Sequence, residues 1–207
     1  MTISDARLYG ILDLGYVAAS AATSMATRMI QGGIDILQLR AKGVPESDVR
    51  ALGIEVASLC RAAGVPFIIN DYPHLVRELG ADGAHIGQDD GPIEAARQAT
   101  GPGAIIGRST HSLEQARAAW AEGADYIGFG PLFATPTKPD YIPIGMGDIA
   151  ATFQASPIPV FCIGGIKREN LPDIVAAGAT RAVVVSGILL AEDVGTYIAD
   201  CKRALGA

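Results

Sequence analysis

Cysteine is scarce in this chain: three residues (Cys60, Cys162 and Cys201) among 207. They are odd in number and scattered, with neither the close spacing of a metal site nor the pattern of a disulfide framework. That usage fits a reducing, cytoplasmic compartment. Positive charge is also short, with 16 Lys and Arg against 22 Asp and Glu, a net charge of −6 and a pI of about 5.0. No basic patch stands out, which argues against nucleic acid as a partner. No apolar run reaches the length of a membrane-spanning helix, so no membrane partner is expected. The small-residue stretch 17–22 resembles the apolar part of a signal peptide. No basic region precedes it and Asp13 interrupts the apolar run, so that reading fails. Low-complexity segments and interdomain linkers are missing as well, so residues 1–207 read as one domain.

What the chain does have is apolar content, 49% of its residues, enough to bury a large core. Short strand-like runs alternate with helix-like segments throughout. The runs fall at 7–13, 36–40, 66–70, 84–87, 104–109, 126–130, 160–164 and 181–186. Helical segments are expected at 17–31, 46–63, 73–79, 92–100, 112–122, from about 148, at 168–177 and at 192–205. Glycines mark several helix ends, and Pro45 and Ser112 mark starts. Several runs are apolar without alternation, as strands buried on both faces are. The tripeptide Gly-Ala-Asp precedes two of them, at 80–82 and 123–125, and Gly-Ala-Thr precedes another at 178–180. Eight such units describe a (β/α)8 barrel of the TIM type; an open doubly wound sheet is the alternative.

The C-terminal ends of barrel strands carry the active site. Here those ends collect Gln38, Arg40 and Lys42; Asn70 and Asp71; Gln88, Asp89 and Asp90; Ser109, Thr110 and His111; Thr135, Thr137 and Lys138; and finally Gly164, Gly165, Ser186 and Gly187. Asp71 and Asp90 end consecutive runs. Two carboxylates held together repel unless a cation lies between them, and hard oxygen ligands suit Mg2+. Either acid could instead be a helix N-cap. Arg40, Lys42 and Lys138 would complement a diphosphate, although each also reads as a solvated ion-pair partner. The glycines of the seventh unit and Ser186-Gly187 of the eighth suggest a phosphate cradle, against a plain tight turn. His111 reads either as a base or as a loop residue, and His85, inside a run, as a hydrogen-bonded core residue. Trp120 and Phe129 read as packing.

These motifs resemble, in order, the thiamine phosphate synthase (thiamine-phosphate pyrophosphorylase) family. They are Gln38-Leu39-Arg40-Ala41-Lys42, Ile69-Asn70-Asp71, Gly83 through Asp90, Ser109-Thr110-His111, Gly128 through Pro131 with Thr135-Pro136-Thr137-Lys138, Ile163 through Ile166, and Val185-Ser186. The resemblance implies a Mg2+-dependent transferase of thiamine biosynthesis. It would join 4-amino-2-methyl-5-(diphosphooxymethyl)pyrimidine to a thiazole (carboxy)ethyl phosphate, with diphosphate leaving before the thiazole nitrogen attacks. By motif, Asp71 and Asp90 would hold the metal. Gln38, Leu39, Arg40, Ala41, Lys42, Asn70, Ser109 and Lys138 would contact the pyrimidine diphosphate. Thr135, Pro136, Thr137, Gly165, Val185 and Ser186 would hold the thiazole phosphate. Lys138, Arg40, Lys42 and Ser109 are the residues expected to act in catalysis. The chain departs from the family at Ala41, where Glu is frequent, at Leu12, where Thr is frequent, and at Arg108, where a small apolar residue is usual. The last departure, with His111, is similar to thiazole tautomerases of the same fold. That leaves two alternatives: a tautomerase using His111, or a barrel that binds phosphorylated ligands without turnover. The partners implied are small phosphorylated molecules, with homo-oligomerisation left open.

Overall fold

The computed structural model describes residues 2–135 and 142–207. Eight strands run β1 (Leu8–Asp13), β2 (Ile36–Arg40), β3 (Phe67–Asn70), β4 (Gly83–Ile86), β5 (Ile105–Thr110), β6 (Tyr126–Phe129), β7 (Val160–Cys162) and β8 (Ala182–Val184). Each pairs in parallel with the next, and β1 pairs with β8, so the sheet closes into a (β/α)8 barrel. The helices are α1 (Ala19–Gln31), α2 (Glu46–Ala63), α3 (Val76–Leu79), α4 (Ile93–Thr100), α5 (Leu113–Ala121), α6 (Ile149–Ala155), α7 (Leu171–Ala176), α8 (Ser186–Leu189) and α9 (Val194–Ala204). A 3-10 turn, Pro73–Leu75, leads into α3. No helix among the described residues is long and apolar enough to cross a membrane.

Closure divides each strand into two faces and produces two cores. The larger lies between sheet and helices and takes Leu8, Leu12, Leu37, Leu39, Ile69, Ile106, Ile127 and Val184, with helix residues such as Met29, Val56 and Ile198. The smaller fills the barrel interior: Tyr9, Ile11, Ile36, Ile68, Tyr126, Phe161 and Val183. Tyr9, Tyr126 and Phe161 meet there with ring centroids 5.5–5.8 Å apart, two of the three pairs edge-on. Glycine at 107 makes room for them. A Cβ there would lie 2.0 Å from Cζ of Tyr126. Tyr9, Ile11, Tyr126 and Val183 of this interior set also line a pocket at the rim where the strands end.

The other rim is closed by aspartates. Asp35 accepts the backbone N–H groups of Arg7 and Leu8, Asp82 that of Phe67, and Asp125 that of Ile106. Each belongs to a helix-to-strand turn and pins the entry of a neighbouring strand, at 2.7–3.0 Å. That is the physical content of the repeated Gly-Ala-Asp turns. The 178–180 version carries Thr instead of Asp and lacks the carboxylate.

Helix bounds follow local chemistry. α2 starts after Pro45 and ends at Gly64, whose left-handed φ of 67° lets its N–H cap the last carbonyls. Ser112 caps α5, accepting N–H of Gln115 at 3.1 Å. Most element bounds differ from the sequence expectation by a residue or two, and in three the local reason is plain. β7 ends at Cys162 rather than 164, because Gly164 and Gly165 take positive φ. α7 starts at Leu171 rather than 168, because Asn170 accepts N–H of Lys167 and holds that segment as a turn. β8 ends at Val184 because a further short helix, α8, begins at Ser186.

Candidate active site

The interior residues emerge at the C-terminal rim as the lining of a pocket of about 440 Å³, a size that suits a small ligand. Alternation selects its side chains. Along and beyond β2, Gln38, Arg40 and Lys42 face the pocket, whereas Leu39 and Ala41 pack into the outer core. Contact from those two positions is therefore limited to backbone. Asn70, Asp71, Asp89, Asp90, Ser109, Thr135, Gly165, Val185 and Ser186 also line the pocket. Pro136, Thr137 and Lys138 lie outside the described residues.

β3 and β4 are paired, with Asn70 opposite His85, so the acids after them share one edge as expected. Asp71 takes φ 65°, in the left-handed region that non-glycine residues seldom occupy, Asn and Asp more readily than most. The turn is held by its N–H to the His85 carbonyl, 3.0 Å. Strained backbone of this kind gathers at functional sites. The Asp71 carboxylate meets the Lys42 ammonium at 2.9 Å. Asp90 accepts the Gly87 N–H at 2.6 Å and so folds the loop after β4 back on itself. Arg108, from the outer face of β5, clamps that loop. Its guanidinium donates to the carbonyls of Gly91 (2.7 Å) and Gln88 (3.3 Å). The arginine at this unusual position thus supports the segment that carries Asp89 and Asp90.

Arg40 is not a loose surface cation. Its Nη1 donates to Asp13 Oδ2 at 2.7 Å, and the Asp13 side chain is only 2% exposed. The second oxygen of Asp13 accepts the Gly15 N–H at 2.9 Å. Asp13 therefore fixes the guanidinium at the pocket wall. It was missed as a site residue in the sequence, although it ends the first strand and alternates with Tyr9 and Ile11, the signal that marks the inward face.

Across the floor runs a chain of polar side chains. Gln38 Nε2 donates to Tyr9 Oη (2.7 Å), Tyr9 Oη meets Tyr126 Oη (2.9 Å), Tyr126 Oη meets His85 Nδ1 (3.0 Å), and His85 Nε2 meets Ser109 Oγ (3.0 Å). His85 is hydrogen-bonded as the sequence suggested, but it faces the pocket. Burial raises the pKa of both Tyr9 and Tyr126, which keeps their hydroxyls protonated. His111 also lines the pocket, with Nδ1 directed at the Gly130 carbonyl and its backbone N–H donating to Gln115 Oε1.

At the last two strands the pocket is walled by backbone. Gly164 and Gly165 carry φ of 94° and 68°, and Asn170 Nδ2 donates to the Gly165 carbonyl. A Cβ at 165 would come within 2.7 Å of Phe133 Cβ, so glycine is required there for loop packing whatever else it does. Val185 leads into α8, the short additional helix that many such barrels place beside a phosphate.

Closed barrel, inward polar rim and a short extra helix after the last strand are the marks of the (β/α)8-barrel enzymes, whose active sites lie at this rim. Residues 8–188 match the family model described as thiamine monophosphate synthase. The chain belongs to that family and is a transferase. It is 40% identical over 204 residues to a thiamine-phosphate synthase of Chloroflexus aurantiacus, covering 98% of this chain and 94% of the relative. It is 39% identical to one of Methanocella arvoryzae, covering 96% and 94%. A solved thiamine phosphate pyrophosphorylase from Pyrococcus furiosus superposes with a TM-score of 0.89 at 30% identity, covering 98% and 96%.

Proposed function

We propose that the enzyme couples 4-amino-2-methyl-5-(diphosphooxymethyl)pyrimidine to a thiazole (carboxy)ethyl phosphate, giving thiamine phosphate and diphosphate in a Mg2+-dependent, dissociative reaction. The observation that carries this reading is one pocket that brings Asp71 and Asp90 together with two ion-paired cations, Arg40 and Lys42, and the Gly164-Gly165 loop. Oxygen donors from Asp71 and Asp90 fit a hard divalent ion, with remaining positions left to phosphate oxygens and water. Among the described residues no group of three or more His, Cys, Asp or Glu is placed to hold a metal ion, so other oxygen donors would have to complete any coordination by Asp71 and Asp90. When bound, Mg2+ would supply charge neutralisation for the departing diphosphate.

The chain's own residues do the rest. Arg40, held by Asp13, and Lys42, together with Lys138, would stabilise charge that develops on the leaving diphosphate, the term that usually dominates such catalysis. Gln38, Asn70 and Ser109 would grip the pyrimidine. Thr135 to Thr137, Gly165, Val185 and Ser186 would hold the thiazole phosphate so that its ring nitrogen faces the pyrimidine methylene. The interior aromatics beneath keep water from the cation formed in between. The acceptors are small phosphorylated molecules; the cytoplasm is the compartment the cysteine usage suggests, and we make homo-oligomerisation no part of the mechanism.

The test is a pair of variants. Lys138→Ala should depress diphosphate release strongly, and His111→Ala should matter less. An enzyme that isomerises the thiazole, requires His111 and releases no diphosphate would instead be a tautomerase, the reading favoured by the imidazole on the pocket wall.

A further inference from the structure

We infer that Tyr9, Tyr126 and His85 set the donor–acceptor polarity with which Gln38 and Ser109 meet the pyrimidine ring, and so decide that an amino rather than an oxo pyrimidine is accepted. The inference rests on the proposed function for the ligand's identity. The polarity is inferred from the Gln38 donation and the hydrogen-bonding needs of the buried hydroxyls, without reference to a ligand.

Each link of the floor chain passes one hydrogen. Gln38 Nε2 is necessarily a donor to Tyr9 Oη, at 2.7 Å. Tyr9 Oη, buried at 1% exposed, lies 2.9 Å from Tyr126 Oη, and either could donate; because Tyr9 already accepts from Gln38, satisfying both hydroxyls places its own hydrogen on Tyr126 Oη. A buried hydroxyl left without an acceptor is costly, so Tyr126, also 1% exposed, passes its hydrogen to His85 Nδ1. A neutral imidazole that accepts at Nδ1 carries its proton on Nε2 and donates to Ser109 Oγ. The Ser109 hydrogen is then turned to the pocket, and the Gln38 carbonyl is the amide's remaining acceptor. With the Gln38 amide N–H given to Tyr9, the two ends are complementary: the Gln38 carbonyl offers an acceptor and Ser109 offers a donor.

An aminopyrimidine edge presents an amino donor beside a ring-nitrogen acceptor and matches this polarity. The oxo analogue presents a carbonyl acceptor beside a ring N–H donor and opposes it at both ends. A site that leaves buried polar groups unpaired rejects the wrong analogue by orders of magnitude. The three relay residues line the pocket floor and bond one another, and the role inferred for them is to position Gln38 and Ser109.

The test measures Kd of the wild type, Tyr9→Phe and Tyr126→Phe for the 4-amino and 4-oxo pyrimidine diphosphates, and for the thiazole phosphate. Each phenylalanine cuts the chain and frees one end to turn over. The amino-to-oxo preference should fall at least tenfold in both variants, partly through tighter oxo binding, with thiazole phosphate affinity unchanged. An unchanged preference, or equal weakening of all three ligands, overturns the inference. Nitrogen-15 NMR of His85 in the unliganded wild type gives a reading that needs neither the variants nor the ligand. A single neutral tautomer with its proton on Nε2 supports the polarity. A proton on Nδ1, or a charged ring, overturns it. A wild type that binds neither pyrimidine but shows the expected tautomer would count against the proposed function while leaving the polarity standing.

Discussion

Arg40 can be mutated without its partner, and the structure says what that should cost. Arg40→Met leaves the Asp13 carboxylate 2% exposed, with only the Gly15 N–H for company. Leaving one charge of a buried pair uncompensated costs about 3–5 kcal/mol. For a chain of this length that lowers Tm by about 6–20 °C. Asp13→Asn keeps the acceptor for Gly15 and loses only the charge assistance to Arg40, about 1 kcal/mol. The double variant removes both charges and should be more stable than Arg40→Met by roughly 2 kcal/mol, since replacing a buried pair outright is often close to neutral. Urea unfolding of the four chains closes the cycle. Additivity within about 0.5 kcal/mol would refute the claim that Asp13 and Arg40 form one buried unit.

Asp71→Asn or Asp90→Asn should abolish Mg2+-dependent turnover with Tm little changed, while Asp89→Asn remains active; the reverse order for Asp89 and Asp90, read from initial rates against Mg2+ concentration, would show that the wrong carboxylate was chosen. Ser186→Ala should weaken thiazole phosphate by about 1.5–3 kcal/mol in an equilibrium titration, the value of one hydrogen bond to a charged group, and leave the pyrimidine diphosphate unaffected. Gly165→Val should lower Tm and harm both ligands, because its side chain would meet Phe133 before it met an anion; a selective loss of thiazole phosphate at unchanged Tm would locate the anion against that backbone. Burial pushes the thiols of Cys60, Cys162 and Cys201 up to about 12. They should resist a thiol reagent at pH 8. Their unfolded forms ionise near pH 9 and their folded forms only near 12, so the stability they lend is intact below pH 9 and drains away as pH rises toward 12, which alkaline unfolding curves will register.

Much of this site could be read from the chain because a barrel places every strand end on one rim. The bounds of β2 and α2 match the sequence expectation, since Ile36, Leu37 and Leu39 mark a short strand-like run and Pro45 and Gly64 bracket the helix. α8 was illegible for the opposite reason: four residues carry no helical period, and Ser186-Gly187 reads as a turn. The floor chain was hidden by distance. Tyr9 and Tyr126 stand 117 residues apart, and nothing local marks them as partners until the barrel closes. Asp13 was within reach, because the rule that found Asp71 and Asp90 also covers the end of the first strand. Arg108 needed the structure, as its guanidinium leaves the pocket and supports the loop from behind.

The most direct test supplies both proposed substrates with and without Mg2+ and follows thiamine phosphate and diphosphate together. The account predicts equimolar products, formed only with the metal and lost in Asp71→Asn. Thiazole isomerisation without diphosphate release, or tight binding of both ligands with no product, would contradict it.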